Sequence, residues 1–90
     1  MASIKRFEDL DMWKLARKLT NRIYDASDIG LFSRDFGLRG QMRRAAVSIM
    51  SKIAEGFESA SDNLFIRYLG YAKASAGELR AQTYTAFDRK

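Results

Sequence analysis

A chain of 90 residues with no histidine and no cysteine lacks the commonest general base and the usual ligands of zinc and iron, which argues against an enzyme and against a metal or cofactor site. The apolar fraction of 47% and the charged fraction of 30% predict a single globular domain, residues 1–90, without a membrane span. The net charge of +5 suits an anionic partner, yet dispersed lysines and arginines also serve only to keep a helical surface hydrated. The N-terminal residues have no apolar signal-peptide core, so a cytoplasmic protein is expected.

A first helix is predicted over about residues 10–26. Asp9 and Asp11 lie at its start, where carboxylates can cap free backbone amides. Two apolar ridges follow at helical spacing. The core-facing ridge consists of Met12, Ala16, Leu19, Ile23 and Ala26, with Leu15 at its edge, and the second ridge of Trp13, Thr20 and Tyr24. The basic and polar residues that remain are interpreted as a solvated face.

Residues 27–37 interrupt this periodicity with two glycines and several small polar residues, as a connection between helices does. Ser33 is predicted to cap the helix that follows. The segment is also apolar for a connection, and its large apolar residues are Ile29, Leu31, Phe32 and Phe36. We expect it to fold back over one end of the helices, and a partner-binding loop is the alternative.

The second predicted helix, about residues 34–57, organises the rest of the chain. Its apolar residues cover more than half of the helix circumference, so it must contact at least two neighbouring helices. They are Leu38, Met42, Ala45, Ala46, Ile49, Met50, Ile53, Ala54, Gly56 and Phe57. A narrow polar ridge on the other side consists of Gln41, Arg44, Ser48, Lys52 and Glu55.

Four basic residues of this helix are candidates for a nucleic-acid site, namely Arg39, Arg43, Arg44 and Lys52. Their side chains can bind phosphates, but they can equally pair with carboxylates of a neighbouring helix or subunit. The pairing alternative is favoured for Arg39 and Arg43, which share one ridge in apolar surroundings. Glu55 is expected to pair with Lys52 and not to hold a metal.

A third helix is predicted over about residues 62–88, after a turn in which Ser59 or Ser61 acts as its N-cap. Its core stripe consists of Phe65, Tyr68, Leu69, Ala72, Ala76, Leu79, Thr83, Ala86 and Phe87. A second face consists of Gly70, Ala74, Gly77 and Ala81 and is termed the small-residue seam. Each interior glycine costs about 1 kcal/mol relative to alanine, so the seam is predicted to meet another backbone closely. Tolerated glycines on an exposed side are the alternative.

Together these patterns predict an all-α, up-and-down helical bundle of the four-helix-bundle type. Three long helices are present in the sequence. The unused small-residue seam predicts that the fourth helix is missing or is supplied by another copy of the chain.

Three motifs follow one another along the chain. The first is a phenylalanine and a leucine ahead of a tryptophan-bearing helix, and the second is a glutamine, two basic residues and an alanine pair, followed by alanine-glutamate-glycine. The third is the pattern FIRYLGYAKASAGEL. The residues concerned are Phe7, Leu10, Trp13, Gln41, Arg43, Arg44, Ala45, Ala46, Ala54, Glu55, Gly56, Phe65, Leu69, Ala72, Ser75 and Glu78. In these motifs the chain resembles the 23S ribosomal RNA intervening-sequence proteins, a family of four-helix bundles.

The resemblance implies an up-and-down bundle that assembles as a homo-oligomeric ring, a pentamer, with no catalytic residue and no cofactor. Some members are encoded inside insertions of ribosomal RNA genes, and a related accessory protein of diversity-generating retroelements binds nucleic acid and a reverse transcriptase. Members usually continue into a fourth helix, whereas the present sequence provides three. Many also carry proline and asparagine where Met50 and Lys52 stand here.

These features suggest two alternative functions. The first is RNA or DNA binding by an oligomer in which the four candidate basic residues form a shared surface. Trp13 and Tyr24 would then stack on the bases of the nucleic acid. The second is a scaffold for self-assembly or protein interaction without nucleic acid, suggested by the small-residue seam. Neither function requires a small-molecule substrate or a membrane.

Overall fold

The computed structural model describes residues 4–89 and contains three α-helices and no strand within that range. The helices are α1 (Asp11–Ala26), α2 (Phe36–Phe57) and α3 (Asp62–Arg89), and two short 3-10 helices cover Phe7–Asp9 and Gly30–Arg34. The prediction of an all-α chain with three long helices is confirmed. None of the helices in this part of the chain has an apolar stretch sufficient to cross a membrane.

Helix α2 lies between the other two helices. It packs along α1 and, more extensively, along α3, whereas α1 and α3 form no comparable contact with each other. The buried residues of α2 are Met42, Ala45, Ala46, Ile49, Ile53 and Gly56. The neighbours contribute Ala16, Thr20 and Ile23 from α1 and Ala72 and Leu79 from α3. The predicted central position of the second helix is confirmed, since its wide apolar arc has a neighbour on each side.

The face of α1 that meets α2 matches the predicted stripe in part, since Ala16 and Ile23 are buried as predicted. Thr20 is buried, and its hydroxyl oxygen lies 2.8 Å from the carbonyl oxygen of Ala16 and 3.2 Å from that of Ala46. Met12 and Leu19, which the periodicity places in the core, are 42% and 39% exposed. The placement of Thr20 on a secondary ridge is therefore wrong, because periodicity identifies an apolar sector of a helix but not the part of it that a neighbour covers.

The N-terminus of α2 is capped by Asp35 and not by Ser33. The Asp35 carboxylate accepts a hydrogen bond from the Leu38 amide at 3.1 Å, and the helix begins at Phe36, two residues later than predicted. Ser33 lies in the preceding 3-10 helix, where its hydroxyl donates to the carbonyl oxygen of Gly30 at 2.6 Å. The prediction of Ser33 as N-cap is wrong because the connection forms a 3-10 helix that includes Ser33.

The other two helices also differ in how they begin. Helix α1 follows Leu10 without a side-chain cap, so the predicted capping by Asp9 or Asp11 is wrong. In front of α3, the Ser61 hydroxyl accepts a hydrogen bond from the Leu64 amide at 3.2 Å. One of the two predicted caps of α3 is thereby confirmed.

The connection between α1 and α2 covers the core with one of its four large apolar side chains. Phe32 packs against the core cluster. Ile29, Leu31 and Phe36 are 70%, 61% and 72% exposed. The predicted fold-back of this segment is therefore correct for Phe32 and wrong for the other three.

An open groove of about 370 Å³ runs between α1 and α3, with α2 as its floor, and is termed the α1–α3 groove. Its lining residues are Met12, Leu15, Ala16 and Leu19 of α1, Ile49 and Ile53 of α2, and Leu69, Ala72, Lys73 and Ala76 of α3. All of them except Lys73 are apolar. Within residues 4–89, the three helices supply three walls around this space.

Candidate nucleic-acid interface

Arg43 is half-buried, with a side chain that is 18% exposed. Its Nε donates to Ser27 Oγ at 2.8 Å, and its Nη2 donates to Asp28 Oδ1 at 2.7 Å. The guanidinium carbon lies 4.4 Å from the centroid of the Tyr24 ring. Because Ser27 is fully buried directly after α1, these contacts join the end of α1 to α2. Of the two alternatives for Arg43, pairing with a neighbouring carboxylate is the one observed.

Arg39 is half-buried and also contacts the connection between α1 and α2. Its Nη1 donates to the carbonyl oxygen of Ser33 at 2.9 Å, and its guanidinium carbon lies 5.4 Å from the centroid of the Phe36 ring. These contacts hold the first turn of α2 against the 3-10 helix before it. The guanidinium of Arg39 is therefore occupied in part by the chain's own backbone.

Arg44 differs from Arg43, although the two are adjacent in sequence. Its side chain is exposed and forms no hydrogen bond or ion pair with any residue between positions 4 and 89. The guanidinium lies against Gly40, where an added Cβ would come within 3.1 Å of Arg44 Nη1. An unpaired guanidinium can donate two parallel hydrogen bonds to a single phosphate group. Among the four candidate basic residues, Arg44 is the one whose side chain remains fully available to bind a phosphate in this way.

Lys52 forms an ion pair within α2, and a phosphate could replace the carboxylate of this pair. Its Nζ lies 3.6 Å from Glu55 Oε1 and 5.9 Å from the centroid of the Tyr68 ring. The predicted pairing with Glu55 is confirmed. The lysine side chain is 34% exposed, and helical pairs of this kind contribute only about 0.2–0.5 kcal/mol, so a phosphate can compete for the ammonium group. Among the residues that the structure describes, no three acidic side chains come close enough to hold a metal ion.

Arg44 and Lys52 line one cavity, and the side of α2 that faces this cavity is termed the outer face. The outer face consists of Arg44, Val47, Ser48, Ser51 and Lys52, and it holds a shallow cavity of about 450 Å³ that Tyr24 and Arg43 border. Arg44 and Lys52 are eight residues apart, which corresponds to a separation of about 12 Å along α2.

The two serines of the outer face differ in their hydrogen bonding. Ser48 Oγ lies 3.0 Å from Ser75 Oγ of α3, so this hydroxyl is used between the two helices. The Ser51 hydroxyl has no hydrogen-bond partner within the described part of the chain. Ser51 was not among the predicted site residues, although its position seven residues after Arg44 places both on one ridge of a helix.

The predicted stacking residues are both engaged within the chain. Trp13 is half-buried, with its ring centroid 5.1 Å from that of Phe7 in an edge-on arrangement. Tyr24 is covered on one face by the guanidinium of Arg43. Ser27 and Asp28 were not predicted as partners of Arg43, because both lie in the irregular connection, where no periodicity relates them to α2.

The small-residue seam lies on the outside of α3. All four of its residues are exposed. An added Cβ at Gly70 or at Gly77 would have no heavy atom of the described chain within 4 Å. Within residues 4–89, therefore, nothing packs on the two glycines of the seam.

The structure thus defines a small basic all-α protein whose central helix has an apolar inner side and a polar, basic outer face. The chain belongs to the family of 23S rRNA-intervening sequence proteins, because the family model with that description matches residues 8–90. The resemblance seen in the sequence motifs is confirmed. Comparisons with curated proteins and with solved structures gave no match.

Proposed function

We propose that the protein is a non-enzymatic, homo-oligomeric, cytoplasmic protein that binds RNA through the outer face of α2 and uses neither a cofactor nor a small-molecule substrate. The observation that carries this proposal is the exposed, unpaired guanidinium of Arg44. The description of the family, which refers to an intervening sequence of 23S rRNA, supports RNA as the nucleic acid. The net charge of +5 favours the approach of any polyanion.

The chemistry of the outer face matches a phosphate backbone. Arg44 can bind one phosphate with two parallel hydrogen bonds, and Lys52 supplies a second positive charge about 12 Å along the helix. The Ser51 hydroxyl between them is an additional donor. Two cations alone make a weak site. A homo-oligomer, such as the pentamer that the family resemblance implies, would repeat the site and raise the overall affinity through multivalency.

Replacing Arg44 by alanine is expected to weaken RNA binding by about tenfold, because one charge-assisted phosphate contact is lost. The slope of log affinity against log salt should also fall by about one for each contact removed. Fluorescence anisotropy of a labelled single-stranded RNA, and of a duplex DNA of equal length, measures both effects at about 50 mM and about 200 mM salt.

Arg22→Ala is the matched control, since it removes the same exposed side chain and the same charge from α1. Its RNA affinity should stay close to that of the unchanged protein. Equal losses in the two variants would mean that net charge alone governs binding. Absence of binding to either nucleic acid at the lower salt concentration would refute the proposal.

A scaffold without nucleic-acid binding is the second candidate function, and the exposed seam favours it. Glycines inside an exposed helix each cost about 1 kcal/mol relative to alanine, and no residue of the described chain packs on Gly70 or Gly77. Close packing of a second chain would give these small residues a role. The same packing is compatible with RNA binding, because the seam lies on α3 and the outer face on α2.

Replacing Gly77 by leucine is expected to lower the mass of the assembly, because a large side chain would separate helices that pack on the seam. Light scattering coupled to size exclusion measures this mass over a range of concentrations. Asn21→Leu adds the same side chain to an exposed position of α1 and should leave the mass unchanged. An unaltered mass for Gly77→Leu would exclude the seam as the interface between copies.

A further inference from the structure

We infer that the RNA bound to the outer face inserts one unpaired guanine into a second cavity, where Glu78 of α3 and Gln41 of α2 form hydrogen bonds with the Watson–Crick edge of the base. The inference rests on the proposed RNA binding and adds to it the base that is recognised. This second cavity is termed the Glu78 cavity, and its lining residues are Gln41, Arg44, Ala45, Ser48 and Glu78.

The Glu78 cavity adjoins the cavity of the outer face. Arg44 and Ser48 line both cavities, so a nucleotide whose phosphate is bound by Arg44 can place its base beside Glu78. The volume of the Glu78 cavity is about 350 Å³, within the range of roughly 300–1,000 Å³ that is usual for small-molecule sites. Its lining residues are polar except for Ala45, so the cavity suits a ligand that forms hydrogen bonds.

The charged groups of the Glu78 cavity have opposite signs and remain unpaired. Arg44 and Glu78 are both exposed, and neither side chain forms an ion pair or a hydrogen bond with a residue in the range 4–89. The side-chain amide of Gln41 also has no hydrogen-bond partner in that range. The cavity therefore offers donors from Arg44 and Gln41 beside two acceptor oxygens of Glu78. Because the carboxylate repels a phosphate, a base is the part of the nucleotide that fits beside Glu78.

Guanine is the RNA base whose Watson–Crick edge matches these groups. Its N1–H and N2–H groups can donate two parallel hydrogen bonds to the carboxylate of Glu78, while its O6 accepts one from the amide of Gln41. Adenine has an unprotonated N1, which repels a carboxylate, and each pyrimidine provides one donor group instead of two. A carboxylate left without its donors loses free energy, so Glu78 selects guanine over the other three bases.

The test compares labelled single-stranded RNAs of about 12 nucleotides that consist of uridine except at one central position. This position holds guanosine, inosine, adenosine or uridine. In fluorescence anisotropy at low salt, the guanosine RNA is expected to bind about tenfold more tightly than the adenosine and uridine RNAs. Inosine lacks the N2 amino group and should lose most of this preference. Equal affinities for all four RNAs would overturn the inference and leave RNA binding intact, whereas no binding of any of them would refute both.

Glu78→Gln tests the residue assigned to the base, because an amide provides one acceptor atom where the carboxylate provides two. The ratio of the guanosine RNA affinity to the uridine RNA affinity should fall from about ten to about one. Glu58→Gln is the matched control, since it makes the same change at an exposed glutamate outside the cavity, and it should keep the ratio at about ten.

Two further outcomes would overturn the inference. A ratio that Glu78→Gln leaves unaltered would exclude Glu78 as the group that reads the base. Displacement of the guanosine RNA by an equal concentration of guanosine monophosphate would show that a free nucleotide, and not a base within RNA, is the ligand of the cavity.

Discussion

Replacing Gly56 by alanine is expected to lower the free energy of unfolding by about 2 kcal/mol, even though alanine is the better helix former. A Cβ at this position would lie 2.7 Å from Tyr68 Cβ and 3.0 Å from Phe65 Cδ1. Tyr68 Cβ is bonded directly to the backbone of α3, so rotation of the tyrosine side chain cannot relieve the clash. The two helices must instead move apart where α2 ends and α3 begins. Urea unfolding followed by circular dichroism measures the loss.

Gly77→Ala makes the same chemical change at a position without neighbours. No heavy atom of the described chain lies within 4 Å of the added Cβ, so only the gain in helix propensity remains. This variant should therefore be more stable by about 1 kcal/mol. The unfolding of both variants is measured at low chain concentration, at which self-association does not contribute to stability. Stabilisation by both substitutions would contradict the close approach of α2 and α3 at Gly56.

Replacing Arg43 by alanine is expected to lower the free energy of unfolding by about 2 kcal/mol. The variant loses the hydrogen bond to the buried Ser27 hydroxyl and the stacking on Tyr24 in addition to the ion pair with Asp28. The ion pair contributes the smaller share, because the Asp28 side chain is 65% exposed and water screens the attraction. Denaturant unfolding of the two proteins gives the difference directly.

Arg44→Ala controls for charge and helix propensity in the Arg43 experiment. The two arginines are adjacent in the same helix, but Arg44 is exposed and unpaired within residues 4–89. Its removal should change stability by no more than about 0.5 kcal/mol. Similar losses for both variants would mean that the contacts of Arg43 with the end of α1 do not stabilise the fold.

Substitutions of these two arginines are expected to affect the stability of the protein and its RNA binding separately. Arg44→Ala should weaken RNA binding and leave stability nearly unchanged, whereas Arg43→Ala should reduce stability. The contrast follows from their directions, since consecutive residues of an α-helix point about 100° apart. Arg43 points toward the end of α1, whereas Arg44 borders an open cavity that Glu78 of α3 also lines.

The candidate site could be predicted from sequence in part. The polar ridge of α2 correctly contained Arg44, Ser48 and Lys52, because these residues recur at helical spacing. The same periodicity left open whether Arg43 binds a phosphate or a carboxylate. That alternative depends on Asp28, a residue of the irregular connection whose position in space no repeat in the sequence predicts.

The all-α class, the three helices and the central position of α2 were predictable from the sequence. These properties follow from the spacing of apolar residues within each segment, which is a local property of the chain. The packing of the helices was needed to show that α2 covers the Thr20 side of α1, that Leu15 faces an open groove and that nothing in residues 4–89 packs on Gly70 or Gly77. Such properties depend on how each helix is rotated against its neighbours, and side chains remote in sequence determine that rotation.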